Sequence, residues 1–169
     1  MANDIIPDKN LVSVCGLFCM GCGVYYSTKE NNQENLQKLA TRMNIPVEEM
    51  PCTGCRTETR TAFCKNCNMV KCASEKNIDF CVQCVDYPCN DIKVFQSKMP
   101  HRAELWKSLD RIKEVGWEHW FNEMVEYYSC EECGTINGWY DFNCRKCNHS
   151  PGNIFVKNNL EVLSAIFKK

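Results

Sequence analysis

The chain has 169 residues, of which 44% are hydrophobic, with 20 Lys+Arg against 21 Asp+Glu and a cysteine count of 15. The even charge balance argues against a nucleic-acid partner or an anionic membrane surface, since both need a basic face. The abundance of thiols is the feature that asks for a physical account.

The most apolar stretch, residues 11–26, would span about 24 Å as a helix, short of the ~30 Å hydrocarbon core. Gly16, Gly21 and Gly23 also interrupt it, so no membrane span is expected. Asp4 and Asp8 outweigh Lys9 at the start, and no small-residue cleavage site follows, which excludes a secretory leader from the reading. The expected compartment is the cytoplasm, where thiols stay reduced and clustered cysteines bind metal. An odd cysteine total also leaves one thiol over in any all-disulfide scheme.

In chain order, residues 10–15 alternate like a short strand that leads into the first cysteines. Residues 20–30 read as a helix carrying Val24 and Tyr25. A clearer helix covers 32–43, with Leu36, Leu39, Ala40 and Met43 on one face. Pro46 opens one further turn through Met50. Residues 52–89 contain an apparent repeat, Phe63-Cys64-x2-Cys67-x4-Cys72 followed by Phe80-Cys81-x2-Cys84-x4-Cys89. Residues 101–115 place Leu105, Leu109 and Ile112 on one helical stripe, and Gly116 marks a stop. Trp117, Trp120, Phe121, Met124, Val125 and Tyr128 then mark a second amphipathic helix whose stripe reads as core. The tail begins with a β-prone Ile154-Phe155-Val156. It ends in an amphipathic helix bearing Leu160, Val162, Leu163, Ile166 and Phe167.

Cys130-x2-Cys133-x10-Cys144-x2-Cys147 carries the strongest chemical signal. A Cys-x2-Cys turn puts two sulfurs on one side of a tight loop, and loop N–H groups can bond the thiolates. Two such turns supply four sulfurs for tetrahedral Zn2+. Gly134 follows a knuckle and can take positive φ without steric cost. Asn137-Gly138 is a hairpin-turn dipeptide. The expectation is a zinc ribbon with a β-hairpin in the excursion. His149 reads as a surface group rather than a ligand.

The other eleven candidates are Cys15, Cys19, Cys22, Cys52, Cys55, Cys64, Cys67, Cys72, Cys81, Cys84 and Cys89. A local pairing joins Cys52/Cys55 to Cys64/Cys67 and Cys72 to Cys81, Cys84 and Cys89, which leaves Cys15, Cys19 and Cys22 as a three-sulfur set. Interleaved pairing satisfies the spacing equally well. The Cys-x3-Cys-x2-Cys spacing is that of radical-SAM enzymes. However, Gly21 stands where they carry an aromatic, and too few strand–helix units follow for their barrel. Thiolates alone do not separate zinc from iron–sulfur chemistry, so a cluster within residues 15–89 is the alternative to several Zn2+ sites.

The stretch CGLFCMGCGVY, then CTGC, then FCKNCNMVKCASEKN and FCVQCVDYPC, resembles a cysteine-rich prokaryotic family known as domain of unknown function 3795. The resemblance covers about residues 12–95 and implies a small zinc-binding intracellular protein, with no reaction or catalytic residue to carry over.

The expected fold is α+β: a metal-stapled cysteine-rich domain over 1–91, a helical hairpin over 92–128, and a zinc-ribbon β-hairpin with its tail over 129–169. The expected role is a structural or regulatory binding module with a protein partner of unknown identity, its metals replacing a hydrophobic core. The alternative is an iron–sulfur or thiol redox protein using Cys15, Cys19 and Cys22. No carboxylate pair or phosphate loop stands out, and His101 and His119 read as solvated or capping groups, so the sequence leans against an enzyme.

Overall fold

The computed structural model describes residues 5–165. Its helices are α1 (Gly23–Lys29), α2 (Gln33–Met43), α3 (Ala62–Lys65), α4 (Asn68–Glu75), α5 (Asn90–Ser97), α6 (Leu105–Val115), α7 (Trp117–Tyr128) and α8 (Ile154–Ser164), joined by loops and short 3-10 turns.

Local chemistry explains the clearest of them. Asn32 caps α2, its side chain accepting the Asn35 N–H, while Leu36 and Ala40 turn inward. Asn44 ends the helix in the left-handed conformation at φ 54°. Leu105, Leu109 and Ile112 form the buried stripe of α6. Gly116, at φ 84°, breaks the helix so that α7 can fold back along α6. The aromatic stripe of α7 is core: Trp120, Phe121, Val125 and Tyr128 are buried.

One hydrophobic cluster takes residues from the whole length of the chain. Leu11, Val12 and Phe18 meet Phe80, Val82 and Ile92, the inward faces of α6 and α7, and Phe155, Val156 and Leu163 of α8. Phe18 sits edge-on to Trp120 (ring centroids 6.0 Å apart) and Phe121 (5.5 Å) and lies 5.4 Å from Tyr128, which stacks on Phe155 at 5.2 Å. A smaller cluster of Val24, Leu36, Ala40, Met50 and Cys52 lies beneath α1 and α2.

The α+β expectation, with its C-terminal zinc-ribbon β-hairpin, is overturned. Among the described residues β-structure is limited to two isolated antiparallel bridges, Val12 to Phe18 and Ser129 to Ile136, with no strand and no sheet. The Asn-Gly turn fails because a type I′ turn needs positive φ at both central residues, and neither Asn137 nor Gly138 has it. The excursion instead spends its hydrogen bonds outside itself. Asn137 N–H donates to Tyr128 O (2.8 Å) and Trp139 N–H to Gly21 O (3.1 Å).

The strand expected over residues 10–15 reduces to the Val12–Phe18 bridge, because the chain reverses at once. Leu17 N–H donates to Ser13 Oγ at 2.6 Å and Gly16 N–H to Ser13 O at 3.1 Å. Ile154-Phe155-Val156 is also helical. Asn153 caps α8 by accepting the Val156 N–H at 2.8 Å, and that cap with burial of Phe155 and Val156 outweighs their β-propensity. Leu163 of the expected tail helix is buried, Leu160 and Val162 are exposed, and Ile166 and Phe167 lie outside the described residues.

The sequence repeat does not become a structural one. Cys64 lies within α3 and Cys72 within α4, whereas Cys81 opens a 3-10 turn and Cys89 precedes α5. The paired aromatics differ as well: Phe63 is 62% exposed and Phe80 only 3%.

Candidate metal centre

After α7 the chain enters a loop that runs to α8 without regular structure. Both cysteine pairs in it fold the same way. In the first, Gly134 N–H returns to Cys130 O at 2.9 Å and Gly134 takes φ 69°; in the second, Asn148 N–H returns to Cys144 O at 2.9 Å and Asn148 takes φ 62°. Glycine and asparagine are the residues that tolerate this left-handed geometry.

The two knuckles bring Cys130, Cys133, Cys144 and Cys147 together, with their four sulfurs all within 4.8 Å of one another. Sγ of Cys130 lies 3.6 Å from that of Cys147, and Sγ of Cys133 lies 3.6 Å from that of Cys144. A tetrahedral ion at about 2.3 Å from each sulfur needs sulfur–sulfur edges of about 3.8 Å, so the cage fits a single ion. Cys130 and Cys144 are buried, and Cys147 is exposed. All fifteen cysteines are free of disulfides.

The surrounding donors favour negative sulfur at Cys133 and Cys144, whereas Cys147, despite the His149 backbone N–H, is pushed up to about 12 by desolvation and the neighbouring thiols. Burial pushes the Cys144 thiol up, but the backbone N–H groups of Cys147 and Lys146 and the Asn137 side chain outweigh it and bring the group to about 6. The Thr135 hydroxyl, 3.3 Å away, and the Thr135 backbone N–H hold Cys133 below the usual thiol range. His149 contributes its backbone, accepting the Cys144 N–H at 2.7 Å.

Asn137 braces this loop, a role its place in a turn dipeptide did not suggest. Fully buried, it donates from Nδ2 to Thr135 O (2.9 Å) and Gly152 O (2.7 Å), and Oδ1 accepts the Arg145 N–H at 3.0 Å. Asn137→Ala strands these groups, and urea titration is expected to show a loss of about 1–3 kcal/mol. A change below a few tenths would mean that the strut carries no weight.

The eleven other cysteines form one connected web of neighbouring thiols. Cys19 is flanked by Cys22, Cys52 and Cys55, and its thiol accepts the Cys55 backbone N–H. Cys22, at the N-terminus of α1, accepts from Val24 and Tyr25 and faces Cys52 and Cys64. Cys81 is ringed by Cys67, Cys72, Cys84 and Cys89. The sulfurs of Cys15, Cys19 and Cys22 do not all lie within 4.8 Å of one another; the Cys15 thiol lies 3.3 Å from Ser13 Oγ and has Cys55, Cys67 and Cys81 as neighbours. Burial pushes Cys15, Cys55 and Cys81 up to about 12 and Cys22 to about 11.

The Cys52-x2-Cys55 loop is held against the N-terminal segment. Cys52 N–H donates to Thr28 Oγ1 at 3.1 Å, and Arg56 Nε donates to Val12 O at 3.1 Å. Gly54, at φ 138°, passes so close to Asn10 O that an added Cβ would come within 2.5 Å of it. Only glycine fits there.

His101 is not the solvated or capping group expected. It stacks on Trp139 with ring centroids 4.3 Å apart, and its Nδ1 lies 2.8 Å from the Tyr140 hydroxyl. Burial, with Arg102 nearby, lowers it from 6.5 to about 3. The folded chain thus keeps His101 neutral, while the unfolded chain takes up a proton below its ordinary value. Stability therefore falls as pH drops through that window, by about 2 kcal/mol at pH 5. Melts at pH 7 and pH 5 are expected to show that loss in the wild type and not in His101→Phe; equal losses in both would contradict it.

A cleft of about 640 Å3 lies between Phe18, α6, α7 and α8. Its charged groups are engaged with one another, Arg111 with Glu114 and Glu123 and Lys107 with Glu104. No helix among the described residues is long and apolar enough to cross a membrane.

No curated protein and no solved structure matches this chain. The cysteine-rich half of the chain, residues 11–94, matches the family model described as "Protein of unknown function (DUF3795)", in support of the family that its motifs resemble.

Proposed function

We propose that this chain is a zinc-binding protein in which a tetrathiolate ion at Cys130, Cys133, Cys144 and Cys147 takes the place of a hydrophobic core for the loop between α7 and α8. Its role is that of a structural or regulatory binding module for another protein. The observation that carries the reading is the cage of four sulfurs, closed on all sides by cysteine. Four protein ligands leave no open position for a substrate, which is the character of a structural rather than a catalytic zinc site. Fifteen disulfide-free cysteines suit a reducing compartment, which supports a cytoplasmic location. A nucleic-acid role has little support at the site, because Arg145 is occupied by Glu30 at 2.6 Å and by the Tyr26 ring.

Elemental analysis of the purified chain beside Cys133→Ser tests the assignment. One zinc per chain is expected, lost in the variant. Retention of that zinc by Cys133→Ser would place the ion elsewhere.

A further inference from the structure

The four cage sulfurs are not equally reachable from solvent. Cys147 is exposed and Cys133 half-buried, whereas Cys130 and Cys144 are 2% and 3% exposed. Sulfur–sulfur approaches of 3.6 Å join Cys147 to Cys130 and Cys133 to Cys144. Each of these pairs crosses from one knuckle to the other and sets an accessible thiol against a buried one. A disulfide needs about 2.05 Å between its sulfurs, so closing either pair asks for about 1.5 Å of movement, within the range of side-chain rotation.

Three conditions make a cysteine a target of oxidants: thiolate character, exposure and a resolving thiol close by. Holding an ion requires all four sulfurs as thiolates, the nucleophilic form, so the cage meets the first condition by its own design. Cys147 meets the second through its exposure, and Cys130 at 3.6 Å meets the third.

We propose that Cys147 is a site of oxidation by hydroperoxides and that the cage thereby works as a redox switch, an inference that rests on the tetrathiolate reading. The Cys147 thiolate attacks one oxygen of hydrogen peroxide, the O–O bond breaks, and hydroxide leaves with the sulfur as sulfenic acid. The Cys130 thiolate then attacks that sulfur, the S–S bond forms, and a second hydroxide leaves. Two thiolates have lost two electrons, and one peroxide has been reduced to two hydroxides. Cys133 and Cys144 remain as two ligands, too few for a structural zinc site. The loop that loses its ion is the one that holds Trp139 against His101 and bonds Gly21 O, so oxidation changes the surface over α7 and the N-terminal segment.

The test treats the full zinc-loaded chain with hydrogen peroxide, follows zinc release with a chromogenic chelator, and maps disulfides by mass spectrometry after free thiols are blocked. The first disulfide within residues 130–147 is expected to be Cys130–Cys147, formed in step with loss of the zinc, and both changes reverse with dithiothreitol and added zinc. Cys147→His preserves an accepted ligand set of three cysteines and one histidine. It is expected to release zinc at least about tenfold more slowly, because the exposed nucleophile is gone. The wild-type map needs no substitution, so it decides even where the variant misfolds. A first disulfide within one knuckle overturns the proposal, as does zinc retained while other cysteines oxidise, or equally fast release from Cys147→His. Zinc is counted before peroxide is added. A chain that carries none contradicts the tetrathiolate reading instead, and the disulfide map of that sample still decides for or against the Cys130–Cys147 pair.

Discussion

Removing the ion from the Cys130 cage with a strong chelator is expected to abolish the near-UV dichroism contributed by Trp139 and Tyr140 and to remove the cooperative melting transition. Apparent binding free energies of structural zinc are about 10–16 kcal/mol, as large as the whole stability of an ordinary domain, about 5–15 kcal/mol. The loop between α7 and α8 has no regular secondary structure of its own and is held by one isolated bridge, the Asn137 strut, its knuckle turns and contacts to Gly21, Tyr26, Glu30 and His101. It also supplies Ile136, Trp139, Tyr140 and Phe142 to the edge of the main hydrophobic cluster, so its release opens the wall over α7. Cys144→Ser, which removes a buried ligand, is expected to give the same result without chelator. A chelated protein that keeps its dichroism and melts at the same temperature would show that packing alone secures the loop.

Trp120→Ala carries the second large effect. The indole is 1% exposed and sits edge-on to Phe18 at the centre of the aromatic cluster that joins the N-terminal segment to α7. Truncation to alanine is expected to cost about 3–5 kcal/mol, from lost burial and the cavity left behind. Trp120→Phe should behave differently. The buried Nε1 has no hydrogen-bond partner, so phenylalanine removes an unsatisfied donor while leaving most of the ring volume in place. A loss about half that of alanine or less is expected, because relief of the donor, about 1–3 kcal/mol, offsets the smaller cavity. Denaturant titration of both variants separates the two contributions. Equal losses would mean that the indole N–H is satisfied in solution.

Helices whose stability rests on local chemistry were legible in the sequence. The α2 helix is announced by Asn32 and by the spacing of Leu36 and Ala40, and α6 by Leu105, Leu109 and Ile112 with Gly116 after them. The cysteine cage was legible too, because a Cys-x2-Cys knuckle is a local object. The hairpin expected between the knuckles was not there, since its residues find partners far away in sequence. Trp139 reaches Gly21, and Tyr26 reaches Asp141 at 3.3 Å. A turn dipeptide records a local preference and contains no information about such partners. The same limit explains His101, whose burial depends on Trp139 and Tyr140, and the N-terminal thiols, whose grouping depends on how loops at 19–22, 52–55 and 64–67 pack on one another. The apparent repeat misled in the opposite sense, because similar spacing in residues 63–72 and 80–89 was given different backbones by different neighbours.

Absorption spectroscopy at the zinc edge of the native protein is the most direct probe of the claim that sulfur and metal stand in for a core around residues 130–147. The cage predicts a first shell of four sulfur scatterers at about 2.3 Å. A shell containing nitrogen or oxygen, or a spectrum unaltered by Cys144→Ser, would contradict it.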